Sequence, residues 1–444
     1  MRDNYRALGL AFSLLAVAGN FTPAQAVQLR AAGLQSSKAG SAQRTLRAPL
    51  GRYSIVPTSS RRASLTVALC RRPTSPREAG CFATANLGAL RPNGSTTVAG
   101  LTPPDLSYIY AFPSPGSQGS AGSNQTVAVV VAGDYSYAEA DLAVYRQYFK
   151  LPPCNTKNGC LSKVGAASVG KSWQTGTPTS ISANPTSPNA IGWAAETDID
   201  MEAVSAVCPN CHIMVAEAAS DSIDDLTSAV ATAMASGATI VNASWGTLEN
   251  SYDWKFIPVY ENGRIRVVAA SGDWGYGVYY PASDTATIAV GGTTLHFGAN
   301  QVITETLWSG SGSGCSQYFS KGAWQPSNTI SGGCLNRKVA DVAAVADPAN
   351  GIAMYDSSLY GYFGGWSVAG GTSVAAPIIT GLFALSGHTQ VASGAQPLYA
   401  APNSAFLSVT SGSNGSCWPS YLCNAGSGVF GPAGVGVPQG VAGF

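Results

Sequence analysis

Apolar positions gather along the chain in short β-branched runs at 126–132 (TVAVVVA), 212–216 (HIMVA), 239–243 (TIVNA), 266–270 (RVVAA) and 287–290 (TIAV). The runs are continuous rather than alternating, so both faces of each strand need cover, as in a parallel sheet layered between helices. Segments 137–149, 194–207 and 223–235 supply helix-compatible sequence between several of these runs. The alternation predicts an α/β fold, a doubly wound parallel sheet with helices on both faces. Upstream, residues 27–100 are rich in Ser, Arg, Thr and Gly without a sustained apolar period. That stretch is expected to be poorly ordered, a pro-segment or linker, and the folded body is expected to occupy 101–444.

At the start of the chain, Arg2 and Arg6 precede an apolar run from Ala7 to Ala18, and Ala24-Gln25-Ala26 offers small residues for cleavage. Residues 1–26 therefore read as a secretory signal. No other stretch reaches the roughly 18 apolar residues a membrane span needs, so the mature protein is not expected to span a membrane. Ten cysteines suit an oxidising compartment. Their spacing suggests five local bridges: Cys70 with Cys81, Cys154 with Cys160, Cys208 with Cys211, Cys315 with Cys334, and Cys417 with Cys423.

Charge sharpens this division. Residues 27–100 carry eleven basic residues and one acid, Glu78, whereas 101–444 carry eleven basic and twenty-one acidic residues. A basic leader on an acidic body is suited to an intramolecular chaperone, or it is a solvated arm. The whole chain has a net charge of only +1, which leaves no polybasic field for nucleic-acid binding by counter-ion release.

Candidate chemistry begins at Gly370-Gly371-Thr372-Ser373, which leads through Val374-Ala375-Ala376-Pro377 into the apolar segment 378–385. A glycine turn entering a helix puts Ser373 where backbone N–H groups favour developing negative charge. Pro377 is expected in the first turn, where its missing amide costs nothing. A serine nucleophile needs a base, and none of the three histidines, His212, His296 and His388, has a His-Gly-Thr setting. Carboxylates remain. Trp193, Glu196, Asp200, Ala203 and Val207 follow three- and four-residue steps along one helical stripe, so Glu196 and Asp200 stand one turn apart and should share a proton. The competing pair Asp198 and Glu202 points elsewhere, Asp198 lying beside Ser205, and is assigned to solvated surface. Asp273 follows the 266–270 run directly, at the carboxyl end where open α/β sheets carry their chemistry. Cys208-Pro209-Asn210-Cys211-His212 fits a turn-closing disulfide, a redox pair or c-type haem attachment, and the disulfide is the favoured reading.

Taken in order, Leu101-Thr102-Pro103-Pro104-Asp105-Leu106, Glu196-x-x-x-Asp200, Ala243-Ser244-Trp245-Gly246, Ser271-Gly272-Asp273 and Gly370-Gly371-Thr372-Ser373 with Pro377 resemble the sedolisins, or serine-carboxyl peptidases. The resemblance spans nearly all of 101–444 and implies a subtilisin-like fold with a Ser-Glu-Asp triad. It implies Ser373 as nucleophile, Glu196 as general base, Asp200 as the group orienting it, and Asp273 as a protonated oxyanion donor. Hydrolysis of polypeptides in acid by a secreted monomer is the implied activity. The alternative is a non-catalytic secreted binding or structural relative of the same fold.

Two features depart from the family pattern. Fewer than 80 residues separate the signal from 101, short for the family's folded pro-domain. The family's calcium site near the C-terminus has carboxylates where this chain has Ser408 and Phe430, so no cofactor is expected.

Overall fold

The computed structural model describes residues 43–45, 66–91, 97–174, 188–261, 264–298, 302–326, 333–358, 365–389, 394–426 and 431–444. The expected signal at 1–26 and the substituted position Phe430 lie outside the described residues. Seven parallel strands form the centre, in the spatial order Leu161–Val164, His212–Ala218, Thr126–Ala132, Ile240–Ala243, Arg266–Ala270, Ile288–Phe297 and Val342–Val345. Val302–Leu307 and then Gln43–Thr45 extend this sheet antiparallel. Val127 to Val131 are all 0% exposed, which is the physical content of their unbroken apolar run.

Three helices fix the site. Ile223–Ala235 packs on the strands His212–Ala218 and Thr126–Ala132. Thr372–Ser386 packs on Ile288–Phe297, Arg266–Ala270, Val342–Val345 and Ile240–Ala243. Pro188–Val207 packs on Thr372–Ser386 and on Thr126–Ala132, and it also meets the helix Ala138–Tyr148 and the strand Ile352–Asp356. Every residue from 192 to 207 is consequently buried, so this helix has no solvent face. The assignment of Asp198 and Glu202 to solvated surface is corrected here: both are 0% exposed. Amphipathic reasoning supplied one covering layer where the fold provides two.

Pro377 also differs from expectation. It is the sixth residue of Thr372–Ser386, beyond the first turn. Its missing amide leaves no i→i−4 bond onto the carbonyl of Ser373, while the helix closes conventionally at Gly387 in the left-handed region, φ 77°.

The basic segment contributes strands of its own. Thr84–Arg91 lies between Gly365–Gly370 and Thr66–Ala68, all antiparallel, with Ile352–Asp356 beyond. Gly80–Cys81 pairs antiparallel with Trp245–Leu248. Residues 66–91 are thus ordered against the body, since their backbone groups find partners there that they lack locally. All five disulfides form in the pairing expected from spacing. Among the described residues, no helix is long and apolar enough to cross a membrane.

Candidate active site

The turn before Thr372–Ser386 is built on Gly371 at φ 100°. A Cβ there would lie 2.1 Å from the Phe82 carbonyl oxygen and 2.4 Å from Asp273 Oδ2, so only glycine fits. The turn delivers Ser373 to the face of Pro188–Val207 that carries Glu196 and Asp200. Ser373 Oγ lies 3.0 Å from Glu196 Oε2 and 3.0 Å from the Ser244 carbonyl oxygen, and its one proton serves one acceptor at a time.

Behind Glu196 stands Asp200. Glu196 Oε1 and Asp200 Oδ2 are buried and reached by no other donor, so a proton held between the two carboxyls is what satisfies them. Burial pushes Asp200 up to about 8 against the bonds that Ser244, Asn242 and Glu196 make to it. Burial and then the charge of Asp200 push Glu196 well above the usual carboxylate range, while the Ser373 hydroxyl pulls the other way. A chain of side chains fixes the far oxygen. Thr380 Oγ1 donates to Asn242 Oδ1 at 3.1 Å, Asn242 Nδ2 to Ser244 Oγ at 2.7 Å, and Ser244 Oγ to Asp200 Oδ1 at 2.7 Å.

Asp273 approaches from the carboxyl end of Arg266–Ala270. Its Oδ1 accepts from the backbone N–H and the hydroxyl of Thr372 at 2.8 and 2.9 Å. Its Oδ2 is buried without a partner beside the Gly371 turn, although the residue as a whole is half-buried. Burial pushes this carboxyl up to about 7, against the two bonds from Thr372. The N–H of Ser373 donates to the Phe82 carbonyl at 3.0 Å, so that oxygen marks the point on which the helix N-terminus and Asp273 converge.

The subtilase family model matches residues 177–395. Kumamolisin of Bacillus sp. (strain MN-32) is 29% identical over 373 residues, covering 77% of this chain and 62% of its own length. Sedolisin of Pseudomonas sp. (strain 101) is 34% identical over 178 residues, which cover 36% of this chain and 29% of that protein. The chain is similar to the sedolisins. Pseudomonas sedolisin, a serine-carboxyl proteinase solved with two molecules of pseudo-iodotyrostatin, superposes with a TM-score of 0.60 at 24% identity, over 77% of this chain and 95% of that one. That likeness gives the fold, which is subtilisin-like. The chain spans about three-fifths of the length of kumamolisin and under a third of that of sedolisin.

All four residues that the family resemblance singled out, Ser373, Glu196, Asp200 and Asp273, are brought together. The histidines are not: His296 bonds Thr306, His388 bonds the Phe444 carbonyl, and His212 is exposed at the start of its strand. Cys208 and Cys211 are bridged to each other. Ser244, Asn242, Thr380 and Thr372 went unassigned in sequence. Ser244 and Thr372 carried a signal, as parts of Ala243-Ser244-Trp245-Gly246 and Gly370-Gly371-Thr372-Ser373.

The opposite face of the same helix holds a second group of acids. Asp141 Oδ2 accepts from Tyr135 Oη at 2.6 Å and from the amide and hydroxyl of Ser357 at 2.9 and 2.8 Å. Asp356 Oδ1 accepts from the Ser358 amide at 2.6 Å, and Glu202 Oε2 from the Tyr355 amide at 3.0 Å. Neither oxygen of Asp198 has a donor. One oxygen each from Asp141, Asp198 and Asp356 lie within 4.8 Å of one another, a spacing that could hold a metal ion. Burial and then the charges of Asp141, Asp356 and Glu202 push Asp198 well up, and burial with Asp141 pushes Asp356 up to about 7.

Two carboxylate positions of the family's C-terminal calcium site are occupied in this chain by Ser408 and Phe430. Ser408 is exposed and offers a neutral hydroxyl, and Phe430 has no side-chain oxygen. Between them, Cys417 and Cys423 close the loop covalently.

Proposed function

We propose that this chain is a secreted peptidase that hydrolyses polypeptides in acid through Ser373, Glu196 and Asp200, with Asp273 completing the oxyanion site. The observation carrying this reading is the 3.0 Å contact of Ser373 Oγ with Glu196 Oε2 at a helix N-terminus. Glu196 accepts the Ser373 proton as Oγ adds to the peptide carbonyl, and it returns the proton to the leaving amine as the C–N bond breaks. Water then hydrolyses the acyl ester with Glu196 again as base. Asp200, held by Ser244, Asn242 and Thr380, shares a proton with Glu196 and points Glu196 Oε2 at Ser373. The Ser373 N–H and a protonated Asp273 Oδ2 stabilise the oxyanion. A donor whose pKa is pushed up to about 7 holds its proton in acid, which sets the pH range.

Export is supported by the leader at 1–26 and by five disulfides. The site draws all its residues from one chain, so a monomer suffices. The test is digestion of a denatured protein by the purified product between about pH 3 and 7, with Ser373→Ala beside it. Cleavage by the parent alone is expected, and equal cleavage by the variant overturns the proposal.

A further inference from the structure

Four carboxyls meet inside the protein behind the catalytic face. Asp198 and Glu202 stand on Pro188–Val207, Asp141 on Ala138–Tyr148, and Asp356 at the end of Ile352–Asp356, and all are 0–1% exposed. The charges that act on Asp198 are those of Asp141, Asp356 and Glu202, and all three are acids. Among the described residues, none of the four is paired with a lysine, arginine or histidine. Arg146, on the helix of Asp141, is spent on the Pro152 carbonyl, Ser205 Oγ and the Pro209 carbonyl. A buried charge is normally paired or bound to metal, and this group has no cationic partner of its own.

Hydrogen bonds satisfy only part of each carboxyl. Asp141 Oδ2 is held by Tyr135 and Ser357, Asp356 Oδ1 by the Ser358 amide, and Glu202 Oε2 by the Tyr355 amide. The other oxygens, Asp141 Oδ1, both of Asp198, Asp356 Oδ2 and Glu202 Oε1, are buried and meet no donor among the described residues. Asp198 is the most telling of these. It is wholly buried with neither oxygen partnered, and one of its oxygens lies within 4.8 Å of an oxygen from each of Asp141 and Asp356.

We propose that Asp141, Asp198 and Asp356 bind a divalent cation of the calcium type, with Glu202 adding negative charge beside it. The donors are all oxygen, which selects a hard cation over zinc or copper. Oxygens no more than 4.8 Å apart fit within a coordination sphere about 4.6–5.2 Å across, twice the calcium–oxygen distance. Magnesium holds its ligands closer and keeps several waters, which suits an open site better than a buried one. The ion would tie the helix Pro188–Val207 to Ala138–Tyr148 and Ile352–Asp356, three segments that already pack together. Glu196 and Asp200 stand on the other face of that helix, so the cation would steady it from behind without touching Ser373. This site is separate from the C-terminal loop at 408–430, and it stands independently of the peptidase reading.

Protons compete with the cation for the same oxygens, so protein recovered from acid is free of it, and the site is read by adding metal. The test uses the full chain, dialysed from acid into neutral buffer stripped of metal and then equilibrated with calcium chloride, with magnesium chloride as a second arm. Equilibrium dialysis followed by metal analysis should find one calcium per chain. The melting temperature should rise by a few degrees at about a hundred times the dissociation constant. Asp198→Asn and Asp356→Asn should each abolish both the bound calcium and the rise, with circular dichroism confirming that they fold. Ser357→Ala removes a donor to Asp141 Oδ2 and leaves every carboxylate in place, so it serves even where the other variants fail to fold. It should weaken calcium binding by about tenfold.

No bound calcium and no rise in the parent would mean that shared protons alone hold the cluster, and would overturn the inference. Calcium retained at full affinity in the variants puts the ion elsewhere and overturns it equally. Magnesium bound as tightly as calcium overturns the assignment to calcium.

Discussion

The two faces of the helix Pro188–Val207 carry the same chemistry to different ends. Glu196 and Asp200 on one face and Asp198 and Glu202 on the other are all 0% exposed, and burial raises the pKa of each. The first pair meets the Ser373 hydroxyl at the start of the helix Thr372–Ser386. The second meets the Tyr355 amide and the further carboxyls Asp141 and Asp356, and among the described residues no hydroxyl donates to either member of the pair. A buried acid with a displaced pKa is therefore no signature of catalysis on its own. A nucleophile within hydrogen-bonding distance, and a path for substrate, make the difference.

The sharpest way to break this comparison is to neutralise one acid on each face. Glu196→Gln, like Ser373→Ala, should lower turnover by about 10³-fold or more while circular dichroism stays native. Asp198→Asn should leave turnover within about threefold. Equal losses from Glu196→Gln and Asp198→Asn would mean that the two faces work as one unit. A smaller loss is expected behind the base. Asp200→Asn and Ser244→Ala should cost about ten- to a hundredfold in kcat with little change in KM, because they loosen the aim of Glu196 without touching substrate.

Asp273 gives the comparison a pH axis. Its carboxyl, pushed up to about 7 by burial, is protonated below that pH and loses its proton above it. As an oxyanion donor it should make kcat/KM fall as pH rises through about 7. Asp273→Asn, which donates at every pH, should retain reduced activity with a flattened alkaline limb. An unchanged limb in that variant would remove Asp273 from the role.

The far face should register in stability instead. Asp356 is pushed up to about 7, above its unfolded value, so the folded state holds a proton that the unfolded chain releases. The associated stability is fully present below about pH 4 and is lost as pH rises toward 7, by up to about 4 kcal/mol for a three-unit shift. Asp198→Asn removes one neighbouring charge and brings amide donors to the cluster. The gap in melting temperature between pH 4 and pH 7 should narrow in this variant, and a gap of unchanged size would show that the cluster does not govern it.

What could be read in the sequence follows from how local each signal is. The unbroken run 126–132 reveals a covered strand because its seven side chains alone require cover on both faces. Glu196 and Asp200 were visible as a one-turn pair, and Ser373 through its glycine turn. The burial of Asp198 was hidden because the layer over it, Ala138–Tyr148 and Ile352–Asp356, comes from distant parts of the chain that no periodicity within 188–207 encodes. The strands at 66–91 were hidden for the same reason. They are short and partly polar, and their partners at 245–248 and 365–370 lie far downstream. Only the spacing of Cys70 and Cys81 hinted that this segment holds a shape.

The smallest expected effect concerns metal, and it too separates the helix face from the rest of the molecule. At the C-terminal loop Ser408 and Phe430 withhold the carboxylates that offset dehydration of calcium, so chelation at neutral pH should leave the melting temperature within about a degree. The covalent closure at Cys417 and Cys423 should matter more. By loop entropy it contributes about 2 kcal/mol, and the double variant Cys417→Ser, Cys423→Ser should melt a few degrees lower. If chelation does lower the melting temperature, Asp198→Asn locates the ion. A drop that disappears in this variant places a cation among Asp141, Asp198 and Asp356, where their oxygens already stand within 4.8 Å, and replaces shared protons as what holds those acids together. A drop that survives the variant returns the ion to the C-terminal loop and contradicts the reading of Ser408 and Phe430.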